Sequence, residues 1–279
     1  MGIASRHGKL RVAVDDDGSR WTRLEDLLTA DVIGCLRYLP LQRGLGAFLG
    51  SAVSADGQCL RDWAATRDVA WAALTRATIA FWPRLAGKEP DLVVVFHDQT
   101  GAPAIAILVE AKLHDDQHAI EGLSQLGFYG RALLEDELEG DTFEQELPAR
   151  RPLVFLTAGR VAPAEALRVA RTEIGDTTGR TDVFWTSWWH AAELVASELS
   201  VGVRGHEHAV LEDLAADLAE RGFAPRRPRL LFPLPALGPL GPFPSSRLVR
   251  TRGPGRALRD VAALDLPAIE VALRQWRVR

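Results

Sequence analysis

The chain has 279 residues, 47% hydrophobic and 25% charged, a balance that suits a globular protein of one large domain or one domain plus an appendage. No apolar run approaches the roughly eighteen residues of a membrane span, and the N-terminus lacks the charged-then-apolar pattern of a leader. Cys35 and Cys59 offer neither a disulfide framework nor metal-ligand spacing, so no membrane partner and a reducing cytoplasm are expected. The net charge of −4 hides an asymmetry: residues 224–279 hold eleven arginines and three acidic residues, a surplus of eight positive charges that leaves −12 on the first 223. Such a tail suits nucleic acid, or packing on its own acidic body; composition leaves both open.

Residues 8–14 alternate as a short strand, and Asp15-Asp16-Asp17-Gly18 reads as a turn without the spacing of a Ca²⁺ loop. We place this segment, 1–21, outside a main domain spanning 22–223. Thr22-Arg23-Leu24-Glu25 matches a capping box and predicts a helix to about Leu39, before Pro40. Leu24, Leu27, Leu28, Val32, Cys35, Leu36 and Leu39 make its apolar stripe; Glu25 falls on that stripe and Asp26 points away. A glutamate facing a core needs a partner, though the capping box would use the same carboxylate. Asp31, at the stripe's other edge, is its rival. Residues 41–76 read as further helix broken at glycines, with Trp63, Trp71, Ala72 and Leu74 as packing residues, and 77–83 as a first strand.

The stretch from Glu89 to Leu113 organises the chain. Two apolar runs of strand length flank His97–Pro103, which reads as a hairpin loop. Asp91 opens the first strand, and Glu110 and Lys112 close the second on a shared face, because residues two apart on a strand project together. Pairing the strands brings Asp91 close to Glu110. Two carboxylates and an ammonium at the edge of a buried sheet suit metal-assisted phosphoryl chemistry: Mg²⁺ takes carboxylate oxygens, and a lysine can orient water or neutralise charge. A structural ion pair at a strand end is the bland alternative. Lysine occurs only at 9, 88 and 112, against thirty arginines.

After Lys112 a helix is expected to about Glu137, with Ile120, Leu123, Leu126, Leu133 and Leu134 on one side, Gly127 and Gly130 allowing close packing on the sheet, and Gln125 and Tyr129 one turn apart off that face. His114 and His118 are an i, i+4 pair with the spacing to bind a metal, or else polar residues at the helix start. Residues 138–150 form an acidic insert, 152–158 and 182–188 strands, 163–175 a helix ending at glycine, and further helices run to about Leu199 and from His206 to Arg221. His206-Glu207-His208 reads as helix-start polarity. From 224 to 255, eight of the sixteen prolines precede a terminal helix broken near Pro267; the stretch is too apolar for a free linker.

Pro90-Asp91, eighteen residues, then Glu110-Ala111-Lys112 resembles the signature of the PD-(D/E)XK nuclease superfamily, over residues 22–158. Gln125-x-x-x-Tyr129 resembles the added motif of its RecB-like members. The resemblance implies an α/β fold, a mixed central sheet flanked by helices with a restriction-endonuclease-like αβββαβ core. It also implies a Mg²⁺- or Mn²⁺-dependent nuclease acting on DNA, in anti-phage defence, restriction or repair. Asp91 and Glu110 would hold the metal with the Ala111 carbonyl and Glu25, Lys112 would activate water, and Gln125 and Tyr129 would set the substrate. Cutting both strands would call for a homodimer or repeated encounters, and unwinding or sensing for a separate ATPase or sensor subunit. The alternative is an inactive nuclease-fold subunit that binds nucleic acid or serves assembly.

Overall fold

The computed structural model describes residues 17–113, 119–138 and 147–224, with side chains from Glu25 onward. The chain divides into two units, Met1–Arg227 and Pro228–Arg279. The 8–14 strand, His114, His118, most of the acidic insert, and the segment beyond 224 lie outside the described residues.

The elements are α1 (Asp17–Leu36), α2 (Leu45–Gly50), β1 (Val53–Ser54), α3 (Leu60–Ala65), β2 (Arg76–Phe81), β3 (Leu92–His97), β4 (Pro103–Lys112), β5 (Ala119–Ile120), β6 (Leu123–Ser124), α4 (Gln125–Leu134), β7 (Leu153–Thr157), α5 (Ala164–Ile174), β8 (Val183–Ser187), α6 (Trp188–Ser200) and α7 (His206–Glu220). Six strands form a mixed sheet in the order β1-β8-β7-β4-β3-β2. β2, β3 and β4 are an antiparallel meander; β4, β7 and β8 run parallel; β1 closes the far edge antiparallel to β8.

Burial on both faces explains why these strands read as continuous apolar runs. Ile105, Ile107, Val109 and Ala111 of β4 enter a layer with α1, α2, α3, α6 and α7. Ala106 and Leu108 enter the opposite layer with α4 and α5. The parallel pairs require crossovers, and those crossovers carry α4 and α5 over this second face. The β3–β4 hairpin turns as its sequence predicts: Asp98 Oδ1 accepts from the Thr100 and Ala102 amides at 2.8 and 3.1 Å, and Gly101 takes φ +84°.

Several expectations need correction. α1 begins at Asp17, so Thr22 lies inside the helix rather than capping it, and the helix ends at Leu36. Asp26 does not point away; it is buried. The 41–76 region is short helical turns interrupted by β1, a two-residue strand too short to leave a periodic signal. Residues 119–124 are a β-hairpin, not helix: Glu121 and Gly122 both adopt positive φ, +54° and +84°, as a two-residue primed turn requires. Gly127 faces Glu173 of α5 rather than the sheet, whereas Gly130 lies between Ile174 of α5 and Leu153 of β7. Tyr129 is 2% exposed within the second apolar layer, not off it.

Candidate functional site

The site arises because β4 outlasts β3. The two pair from Leu92 opposite Val109, and β4 then continues to Lys112. Amides of even-numbered β4 residues turn toward β7, as Leu108 shows by donating to the Pro152 carbonyl at 3.1 Å. Odd-numbered ones turn toward β3 and find no strand there beyond Val109. Carboxylates take the strand's place. Asp91 Oδ2 accepts from the Ala111 amide at 2.7 Å, and Glu25 Oε2, from α1, accepts from the Leu113 amide at 2.8 Å. An extended residue directs its carbonyl to the same side as its amide, so the Ala111 carbonyl faces this gap between the two carboxylates.

Glu110 and Lys112 leave β4 on the face that α4 covers. Lys112 Nζ donates to Glu110 Oε1 at 2.7 Å and to Glu25 Oε1 at 3.2 Å, and Gln125 Nε2 donates to the same Glu110 oxygen at 2.6 Å. Glu110 Oε2 and Gln125 Oε1 are both buried without a hydrogen-bond partner. A buried acceptor left without a donor is destabilising by itself.

The electrostatics agree. Burial, then the neighbouring Glu110 charge, raises the Asp91 carboxyl well above the usual carboxylate range, with Lys112 pulling the other way. Burial raises Glu110 to about 7 against the lowering pull of Lys112. Burial works to lower Lys112, but Glu110, Asp91 and Glu25 outweigh it and raise the ammonium above its ordinary value. Burial and mutual crowding thus favour proton uptake by Asp91 and Glu110, while one ammonium serves all three acidic groups.

Gln125 reaches this cluster because the β5–β6 hairpin ends where α4 begins. Ser124 caps α4, its Oγ accepting from the Gly127 amide at 3.0 Å while its own hydroxyl donates to Glu173 of α5. The Ser124 amide also donates to Glu173, at 3.1 Å. Tyr129 lies one turn along α4; burial, then the Glu110 charge, pushes its hydroxyl up to about 12.

All seven residues singled out in the sequence, Glu25, Asp91, Glu110, Ala111, Lys112, Gln125 and Tyr129, therefore lie around one end of β4. Both oxygens of Glu25 are engaged, by Lys112 and Leu113. Asp31, its rival, instead pairs with Arg221 of the α7 end at 3.1 Å. His208 pairs with Glu212 one helical turn on. Among the described residues no group of three or more His, Cys, Asp or Glu side chains has metal-holding geometry. Asp91, Glu110 and the Ala111 carbonyl offer hard oxygens, of the kind Mg²⁺ and Mn²⁺ accept while keeping several waters. The unpartnered Glu110 oxygen fits that role.

Sequence reasoning missed two supporting groups. One is Ser124 with Glu173, hidden because the hairpin was read as helix; Ser before Gln-Leu-Gly was the available cap signal. The other is Asp26, which accepts a hydrogen bond from the Trp82 indole. No helix of the described residues is long and apolar enough to cross a membrane. No protein-family model, curated protein or solved structure matches the chain.

Proposed function

We propose that the protein is a Mg²⁺- or Mn²⁺-dependent nuclease hydrolysing phosphodiester bonds, with DNA as its substrate. One observation carries the reading: Asp91 and Glu110 converge with Lys112 at the overhanging end of β4, and a buried Glu110 oxygen there has no donor. The chain order around it, α1, the β2-β3-β4 meander, α4 and then β7 parallel to β4, supports a restriction-endonuclease-like αβββαβ core.

Asp91, Glu110 and the Ala111 carbonyl would hold the cation. The chemistry supplied by such an ion would be polarisation of the phosphoryl group and activation of water. Lys112 keeps its proton, held there by three carboxylates, and so acts as a fixed positive charge that orients water and offsets charge developing on the phosphoryl group. Gln125 fixes one Glu110 oxygen and leaves the other without a hydrogen bond, so that it would be available to a cation. Tyr129, neutral across the physiological range, supports Gln125 from the core.

Calorimetric titration with Mn²⁺ alongside cleavage of labelled duplex and single-stranded DNA tests the proposal. The expected result is a divalent site lost in Asp91→Ala and cleavage lost with it. A subunit that only binds nucleic acid retains DNA binding without cleavage, and an assembly subunit shows no divalent site; either result overturns the nuclease reading.

A further inference from the structure

Trp82 follows the last residue of β2. Phe81 pairs with Leu92, so Trp82 stands opposite Asp91, and its amide donates to the Asp91 carbonyl at 2.8 Å. Opposed residues of an antiparallel pair project to the same face, and successive residues alternate faces. An extended Trp82 would therefore place its indole beside the Asp91 carboxylate, on the α4 side. The chain avoids this. Trp82 takes φ +48°, a left-handed conformation that is an outlier for a bulky residue and is held only where the surroundings demand it.

That turn sends the indole to the opposite layer, with Phe81, their ring centroids 5.5 Å apart. There Trp82 Nε1 donates to Asp26 Oδ1 at 3.1 Å, both residues being only 8% exposed. Asp26 adjoins Glu25 on α1. The bonds close a circuit: Trp82 to Asp91, Asp91 to the Ala111 amide, along β4 to the Leu113 amide, Glu25 to Leu113, and Asp26 back to Trp82.

We infer that Trp82 and Asp26 are positioning residues, a clamp that sets Glu25 and Asp91 against the end of β4 while keeping the indole clear of Asp91; its catalytic consequence rests on the nuclease reading. Neither residue belongs to the donor set, so loosening the clamp lowers kcat and leaves KM for DNA near the parent's value.

The test is amide hydrogen exchange in the metal-free full chain, read at Leu113 and at Ile107 in the middle of β4. Trp82→Phe keeps an aromatic ring but loses the indole donor. Asp26→Leu removes the same bond from the helix side, should the first variant fold poorly. Asp26→Asn retains an acceptor oxygen and is the conservative rescue. Loss of this buried hydrogen bond raises Leu113 exchange roughly tenfold in the first two variants. Ile107 stays unchanged, and Asp26→Asn stays near the parent. Unchanged Leu113 exchange in folded variants overturns the clamp, as does a parallel rise at Ile107, which marks general loosening. A parent that does not cleave DNA with Mn²⁺ overturns the nuclease reading instead, and the exchange result then decides the clamp by itself.

Discussion

Glu110 holds a proton in the folded chain over a pH range where the unfolded chain has released it. Burial pushes its carboxyl up to about 7, from 4.5 in the unfolded chain. A carboxyl raised on folding contributes nothing unfavourable below its unfolded value, and stability then falls as pH climbs to its folded value. The whole of that loss is about 3 kcal/mol, complete just above pH 7. Asp91, also raised, adds in the same direction. Glu110→Gln carries no such proton, keeps the packing, and relieves Asp91 of a neighbouring charge. Urea unfolding of both proteins at pH 5 and pH 8 in chelator measures the effect: the parent loses about 3 kcal/mol more than the variant across that interval. Adding Mn²⁺ at pH 8 restores the parent, since a ligand of the folded state alone stabilises it, and does little for the variant. Equal pH slopes for parent and variant would refute the reasoning, for they would mean that Glu110 is not held in the buried, under-compensated state described.

Other perturbations probe the supports. Lys112→Met leaves Glu110 and Glu25 without their ammonium and destabilises the metal-free protein by roughly 3 kcal/mol at pH 8, less at pH 5 where Glu110 takes up a proton; chemical unfolding reads both values. Gln125→Ala removes one of the two donors on Glu110 Oε1, leaving Lys112 as the other, and lowers kcat for DNA cleavage on the order of 10- to 100-fold with stability nearly unchanged, as steady-state kinetics on labelled DNA would show. Gly130→Ala places a Cβ against the Ile174 side chain and costs about 1–3 kcal/mol, read as a lower thermal midpoint.

The sheet was legible where its chemistry is local. The β3 and β4 runs, the loop between them and the strands at 153–157 and 183–187 announce themselves by length, β-branched content and flanking turns. Asp91, Glu110 and Lys112 were legible because charge is otherwise absent from those strands, and the i, i+2 rule puts two of them on one face. Glu25 was found by a core-facing helical position, although its partners are Lys112 and the Leu113 amide rather than its own helix end. What escaped depends on single backbone torsions or on distant packing. A helical period cannot show that Glu121 takes positive φ and turns residues 119–124 into a hairpin. Nor does alternation show that Trp82 reverses its face to meet Asp26, fifty-six positions away. Helical angle alone turns Asp26 outward, and the partner that buries it comes from another element.

The most direct test of the central claim is cleavage of supercoiled plasmid and single-stranded DNA with Mg²⁺ or Mn²⁺ by the parent, Lys112→Ala and Glu110→Ala. The account predicts metal-dependent cutting by the parent, abolished by chelator and lost in both variants. Cutting that survives both substitutions, or a folded parent that binds DNA and never cuts it, would contradict the assignment of this site.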